Sequence, residues 1–335
     1  MFIIDDFSFT DADGFPTVLI YILQIGGGGT YAAIGARIWL SAEEIGMIID
    51  KGYDFPTSIE TKLSIYGPDM WIFRDQPNRL TTHALNSYRG EHRNFEYTTP
   101  GIRITPKDLV GTRIPKPRIL HFICSPKRAS DIISEVHATG GWCPIIIYEP
   151  IPDKCVPEEL PALIKVLPGI AILSPNAEEA LSLLSIPLPP TPSSIEQAAD
   201  RLLSYGIGDS RKGWVIIRSG GLGAYVKTLD SRGQWIDAYW SINDSKRIVD
   251  VTGFCRTIAD VLPGAGNSFL GGLAAGLMLT GDVVKATFHA SVSASFIIEQ
   301  EGLPILSQDK VGNFVWNGDV PHRRLNILLA RHKRK

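Results

Sequence analysis

Between residues 118 and 221, short runs rich in Ile and Val take turns with segments of helical spacing, and this rhythm limits the fold more than any other feature of the 335-residue chain. The runs ILHFICS (119–125), CPIIIYEP (143–150), GIAILSPN (169–176) and WVIIRSGG (214–221) read as strands, and residues 129–139, 177–184 and 195–205 as helices. Such an order predicts an α/β fold with a parallel sheet covered by helices, and ligands at the carboxyl ends of the strands. The Pro-rich stretch 187–192 reads as a surface loop and residues 224–240 as a hairpin. From residue 268 onward the spacing is mainly helical, and there is no internal repeat.

The N-terminal part reads differently. Residues 2–4 predict a short buried strand ending at Asp5 and Asp6, and TVLIYILQI (17–25) a second apolar run, broken by the four glycines at 26–29. Helical spacing follows over 31–40, after which Ser41 with Glu44 has the form of a capping box. From 66 to 103, aromatic and β-branched residues among polar ones predict antiparallel strands with one exposed face, joining residues 7–24 in one small sheet.

Composition excludes several classes. With 44% hydrophobic and 20% charged residues, the chain is neither disordered nor fibrous. Its 33 basic against 35 acidic side chains supply no field to hold nucleic acid, and the basic tail at 331–335 reads as a solvated end. Cys124, Cys143, Cys155 and Cys255 form no CxxC pair, which argues against zinc or a disulfide framework and for a reducing, cytoplasmic setting. The N-terminus lacks the basic region of a secretory signal. The long uncharged stretch 261–281 carries six Gly, a Pro and an Asn, so a buried loop leading into a core helix is expected there rather than a membrane span.

Three segments could carry chemistry. Gly264-Ala265-Gly266-Asn267-Ser268-Phe269 leads into a helix, and free amides at a helix start form an anion site, or simply a tight turn. In Ser174-Pro175-Asn176-Ala177-Glu178-Glu179, Asn176 and Glu179 lie one turn apart and could hold a hydrated Mg²⁺, or merely cap the helix. Arg218-Ser219-Gly220-Gly221-Leu222-Gly223 is a Gly turn after a buried strand, or hairpin punctuation. Separately, Gly27-x-Gly29-x-x-Ala32, with Asp50 further on, fits a dinucleotide fingerprint. An NAD(P)-dependent oxidoreductase would leave the later turns without a role. His121 and His289 have core-like neighbours and read as structural, whereas Glu149 could face a cleft.

In this order the segments resemble the PfkB family of carbohydrate kinases, also called ribokinase-like. The GGGGTYAA and GNSF forms are similar to a fungal branch that includes a yeast protein named for maintenance of killer toxin. The resemblance implies a single kinase domain over residues 1–335: three αβα layers, a mostly parallel central sheet, and a small β lid from about 7–24 and 83–103. The lid is also a candidate homodimer surface. It implies phosphoryl transfer from ATP, with Mg²⁺, to a hydroxyl of a sugar or nucleoside-like small molecule, where positioning and electrostatics supply most of the catalysis. Asp5 or Asp6 with Gly26, Gly27, Gly28 and Tyr31 would meet the acceptor. Asn176 and Glu179 would position the metal and nucleotide, with Ser219, Gly221, Gly223, Asp250 and Thr252 near the nucleotide. The amides of Ala265, Gly266 and Asn267 would stabilise the transferring group.

The sequence departs from that pattern in three places. Asn267 stands where the family carries its catalytic Asp, and a lost general base is worth roughly 10²- to 10⁴-fold. Residues 254–264 interrupt the motif; without them the chain reads VDVTGAGNSF, which suggests an insertion or gene-model artefact. Tyr31 occupies a place where sugar-binding members often carry Asn. A weak kinase and a non-catalytic, kinase-like binding or scaffold protein are the two readings that follow.

Overall fold

Pairing on both edges, rather than the length of an apolar run, decides where the first strand ends. In the computed structural model, which describes residues 1–10, 16–18, 24–89, 92–241, 264–300 and 302–334, β1 covers Ile3–Thr10 and carries Asp5 and Asp6 within its ladder instead of stopping at them. The described residues form two compact units, Met1–Ile104 with Asn243–Ala275 and Val292–Asn326, and Thr105–Ile242 with Gly276–Ser291 and Ile327–Lys335.

In the first unit, β1 is followed by β2 (Pro16–Val18), β3 (Gln24–Gly26), helix α1 (Gly28–Arg37), β4 (Met47–Gly52), α2 (Thr57–Ser64), β5 (Trp71–Gln76), β6 (His83–Arg89) and β7 (His92–Tyr97). The order β2-β1-β6-β7, with β3 also on β1, makes one small sheet that joins the two stretches expected to share one. One expectation changes: β5 pairs parallel with β4, not antiparallel within that sheet. As the reading against a dinucleotide fingerprint requires, its glycines lie in no parallel β-α-β unit among the described residues, since β3 runs antiparallel to β1; Asp50 is held by Arg74 at 2.8 Å. Ser41 and Glu44 do form a capping box, over a single 3₁₀ turn, Ala42–Glu44.

In the second unit, β8 (Ile119–Cys124), α3 (Pro126–Ala138), β9 (Ile145–Pro150), α4 (Leu160–Val166), β10 (Ile172–Leu173), α5 (Ala177–Leu183), α6 (Pro192–Ser204), β11 (Trp214–Arg218), β12 (Ala224–Thr228) and β13 (Gln234–Ile236) follow in order. The sheet order is β13-β12-β11-β10-β9-β8, parallel from β8 to β11 and antiparallel across β11, β12 and β13. Helix α6 shows why the helices form. Thr191 accepts from the Ser194 amide at its start, and Ile195, Ala198, Ala199, Leu202 and Leu203 repeat at helical spacing and are buried. They join Tyr148, Leu173, Val215 and Ile217 in one apolar cluster.

The remaining elements are α7 (Ala265–Thr280), α8 (Val283–Ile297), β14 (Leu306–Gln308), β15 (Phe314–Trp316) and α9 (Pro321–His332). The β14–β15 hairpin was not expected in a region of helical spacing. The basic tail is exposed at Arg331, Lys333 and Arg334, as expected, and Arg331 also donates to the Tyr239 carbonyl at 2.7 Å. Among the described residues no helix is long and apolar enough to cross a membrane.

Candidate functional site

Strand parity separates the two N-terminal acids. Neighbouring residues on a strand point to opposite faces, so Asp5 and Asp6 cannot both meet one ligand. Asp5 is buried, accepts from the Asn86 amide at 3.2 Å, and lies so close over Gly26 that a Cβ there would fall 1.7 Å from its Oδ2. Asp6 instead lies 3.2 Å from His83 Nδ1, and His83 Nε2 is 2.9 Å from Asp54 Oδ2. Gly27, at φ +90°, makes the turn into α1, where Thr30 Oγ1 bonds back to the Gly26 carbonyl and Gly28 opens the helix.

Tyr31, three residues into α1, is buried; burial raises its phenol above the ordinary tyrosine range, and the nearby Asp5 charge adds to this. Its ring packs on Gly264, where a Cβ would lie 2.3 Å from the ring. The Gly264 carbonyl accepts from Ser268 at 2.7 Å. The amides of Ala265, Gly266 and Asn267 therefore precede the first hydrogen bond of α7, where helix-start amides have no partner within the helix and an anion can meet them. Asn267 Oδ1 is buried and has no hydrogen-bond partner among the described residues. An orphaned acceptor there fits a ligand that donates an O–H. Backbone contact fixes the helix itself, since a Cβ on Gly35 would lie 2.1 Å from the Ser268 carbonyl and one on Gly271 1.8 Å from that of Ala32.

In the second unit, register places four charged or polar side chains on one face near the carboxyl ends of the parallel strands. Glu149 is two residues past Ile147, which stands opposite His121, and Asn176 bridges to Arg218. Arg218 donates to Glu149 Oε1 at 2.6 Å and to the Ser174 carbonyl at 3.2 Å, and lies 3.7 Å from Glu179 Oε2. His121 Nε2 is 3.6 Å from Glu149 Oε2, an ion-pair distance too long for a hydrogen bond. His121 therefore belongs to a charged cluster and not to the apolar core, while His289, 3.0 Å from the Lys285 carbonyl one turn back, is tied to its own helix. Burial opposes the Glu149 charge, but Arg218 and His121 outweigh it and hold that carboxyl below its ordinary value. For Glu179 burial prevails over Arg218, and the carboxyl rises to about 7.

Asn176 and Glu179 form the capping box of α5: Asn176 Oδ1 accepts from the Glu179 amide at 2.8 Å and Glu179 Oε2 from the Asn176 amide at 2.7 Å. The donor set does not fit a hydrated divalent cation, because Asn176 Oδ1 and Glu179 Oε2 are engaged and a guanidinium already lies between the two carboxylates. The Ser219–Gly223 turn is open. Gly220, at φ +52°, has nothing within 4 Å of a Cβ position, and Gly221 is exposed. Gly223 is needed for another reason, since its Cβ would fall 2.0 Å from the Ile236 carbonyl. Asp250, Thr252 and most of the 254–264 segment lie outside the described residues.

Arg218 and His121 were not singled out as site residues. Period-two parity in aligned strands was the signal for both, but it requires the register of strands far apart in sequence.

Residues 134–310 match the family model described as pfkB family carbohydrate kinase, and an uncharacterised protein of Schizosaccharomyces pombe is 32% identical over 343 residues, covering 99% of this chain and 93% of that one. This chain belongs to the pfkB family. The protein MAK32 of Saccharomyces cerevisiae is 31% identical over 350 residues, covering 99% and 91%. Among solved structures, a mutant of Escherichia coli phosphofructokinase-2 superposes with a TM-score of 0.65 at 15% identity, covering 98% of this chain and 95% of that one. A putative ribokinase II, also from E. coli, gives 0.63 at 19%, covering 98% and 97%. Fructokinase from Vibrio cholerae, in its fructose-, ADP- and calcium-bound form, gives 0.60 at 17%, covering 90% and 93%. The ribokinase-like α/β fold is thereby established.

Proposed function

We propose that this pfkB-family chain binds ATP and a hydroxyl-bearing small molecule of the sugar or nucleoside type, and transfers the phosphoryl group slowly. The observation that carries the reading is the buried Asn267 Oδ1 at the start of α7, without a hydrogen-bond partner among the described residues, in the first turn with the amides of Ala265 and Gly266. Asn267 would accept the acceptor's O–H and hold it in line. The three amides and the helix dipole would stabilise charge on the transferring group. Asp5, Asn86, Gly26 and Tyr31 would orient the acceptor. Ser219, Gly221 and Gly223 would hold ATP, which supplies the γ-phosphoryl when bound.

An amide orients a hydroxyl but takes no proton at neutral pH, so release of that proton falls to water or to another group. Phosphoryl transfer through a loose transition state tolerates this loss better than acyl transfer does. The test is ADP release across a panel of sugars and nucleosides, with and without Asn267→Asp. An active acceptor whose rate rises at least about tenfold in the Asp variant supports the reading. An unchanged rate removes Asn267 from the reaction. The same amide favours a second reading, a kinase-like binding protein; ligand binding by calorimetry with no turnover in either form would select it.

A further inference from the structure

The Asn-x-x-Glu segment that would serve a metal lies beside an arginine, and the arrangement points to a different cation. We infer that the Arg218 guanidinium is the resident cation of this sheet edge, filling the place between Glu149 and Glu179 that a divalent ion would need, so that the chain holds no divalent metal there. This goes beyond the kinase reading and does not depend on it.

The argument is one of geometry and charge. Arg218 Nη2 lies 2.6 Å from Glu149 Oε1 and 3.7 Å from Glu179 Oε2. Glu149 and Glu179 are each 7% exposed, so both carboxylates are almost wholly withdrawn from water. A buried carboxylate requires a counter-charge; Arg218 supplies it chiefly to Glu149, the nearer of the two, and in part to Glu179. Mg²⁺ demands near-ideal octahedral oxygen geometry at about 2.0–2.1 Å and retains several waters. Two of the nearest oxygens are already engaged, since Asn176 Oδ1 accepts from the Glu179 amide and Glu179 Oε2 from the Asn176 amide, and Glu149 Oε1 accepts from Arg218, which leaves Glu149 Oε2 as a buried oxygen with no hydrogen-bond partner among the described residues and too few ligands for an octahedral ion. A metal entering would also face the positive guanidinium, which the Ser174 carbonyl holds as a third partner at 3.2 Å. His121 Nε2 lies 3.6 Å from the second Glu149 oxygen, near enough for charge to act but not for a hydrogen bond.

The test is Mn²⁺ binding, read by its paramagnetic resonance signal, to the full chain, to Glu179→Gln and to Arg218→Met. Wild type is expected to remove no more free Mn²⁺ than Glu179→Gln does, and Arg218→Met, which uncovers the two carboxylates, to bind at least about tenfold more tightly. Mn²⁺ uptake by wild type that is lost in Glu179→Gln overturns the assignment. So does a folded Arg218→Met, judged by circular dichroism, that takes up no more than wild type. Because loss of one partner can unfold a buried pair, the first comparison decides alone if that variant does not fold. Titration of ATP with and without a chelator keeps the two proposals apart: failure of ATP to bind would sink the kinase reading and leave the Mn²⁺ result standing.

Discussion

Glu179 titrates near the middle of the physiological range because burial lifts its carboxyl to about 7 while Arg218 pulls it back only in part. Its value in the unfolded chain is about 4.3. Across the interval between the two values the folded chain keeps a proton that the unfolded chain releases, so stability is greatest below it and falls as pH rises through it. The contribution is on the order of 4 kcal/mol at most. Denaturant unfolding at pH 5 and pH 8 should show wild type losing stability relative to Glu179→Gln, whose amide can still accept from the Asn176 backbone. A constant offset between them would refute the assignment. Asn176 and Glu179 were visible in the sequence because their spacing is local. Glu149, Arg218 and His121 were not visible as one cluster, because which face each occupies depends on a register between strands up to 97 positions apart, counting from His121 to Arg218.

Capping and close backbone approach position the elements that matter. Replacing Asn176 with Ala removes the acceptor for the Glu179 amide and should lower stability by about 1 kcal/mol, measured by chemical denaturation; Asn176→Asp, which keeps the acceptor, should cost less. Helices α1 and α7 touch through Gly35 and Gly271, so Gly271→Ala must push its new methyl into the Ala32 carbonyl. Overpacking of this kind costs about 1–3 kcal/mol. That variant should unfold at lower denaturant than wild type, and any acceptor binding at Asn267 should weaken with it. A Gly271→Ala chain of unchanged stability would contradict the contact. Helical spacing in the sequence located both helices, but not the contact, since glycine contributes no apolar signal to a periodic pattern.

At the scale of the whole molecule, the alternation of strand and helix from residue 118 was legible because each element is short and bounded by turn residues. The small N-terminal sheet was legible only in outline, since the pairing of β1 with β6 joins residues about 80 positions apart. Net charge is a property of the whole chain: with −2 overall and an isoelectric point near 6.4, it should not be retained by heparin or duplex DNA at about 0.15 M salt. Retention that weakens steeply with added salt would show a basic face that the composition does not suggest. The charge row of the second unit has a consequence for descent. Glu149, Glu179 and Arg218 balance one another out of reach of water, so a substitution at one leaves an excess that the others cannot shed. Lineages related to this chain should change the three positions together or keep all of them, and intermediates with one exchanged should be the rarest sequences.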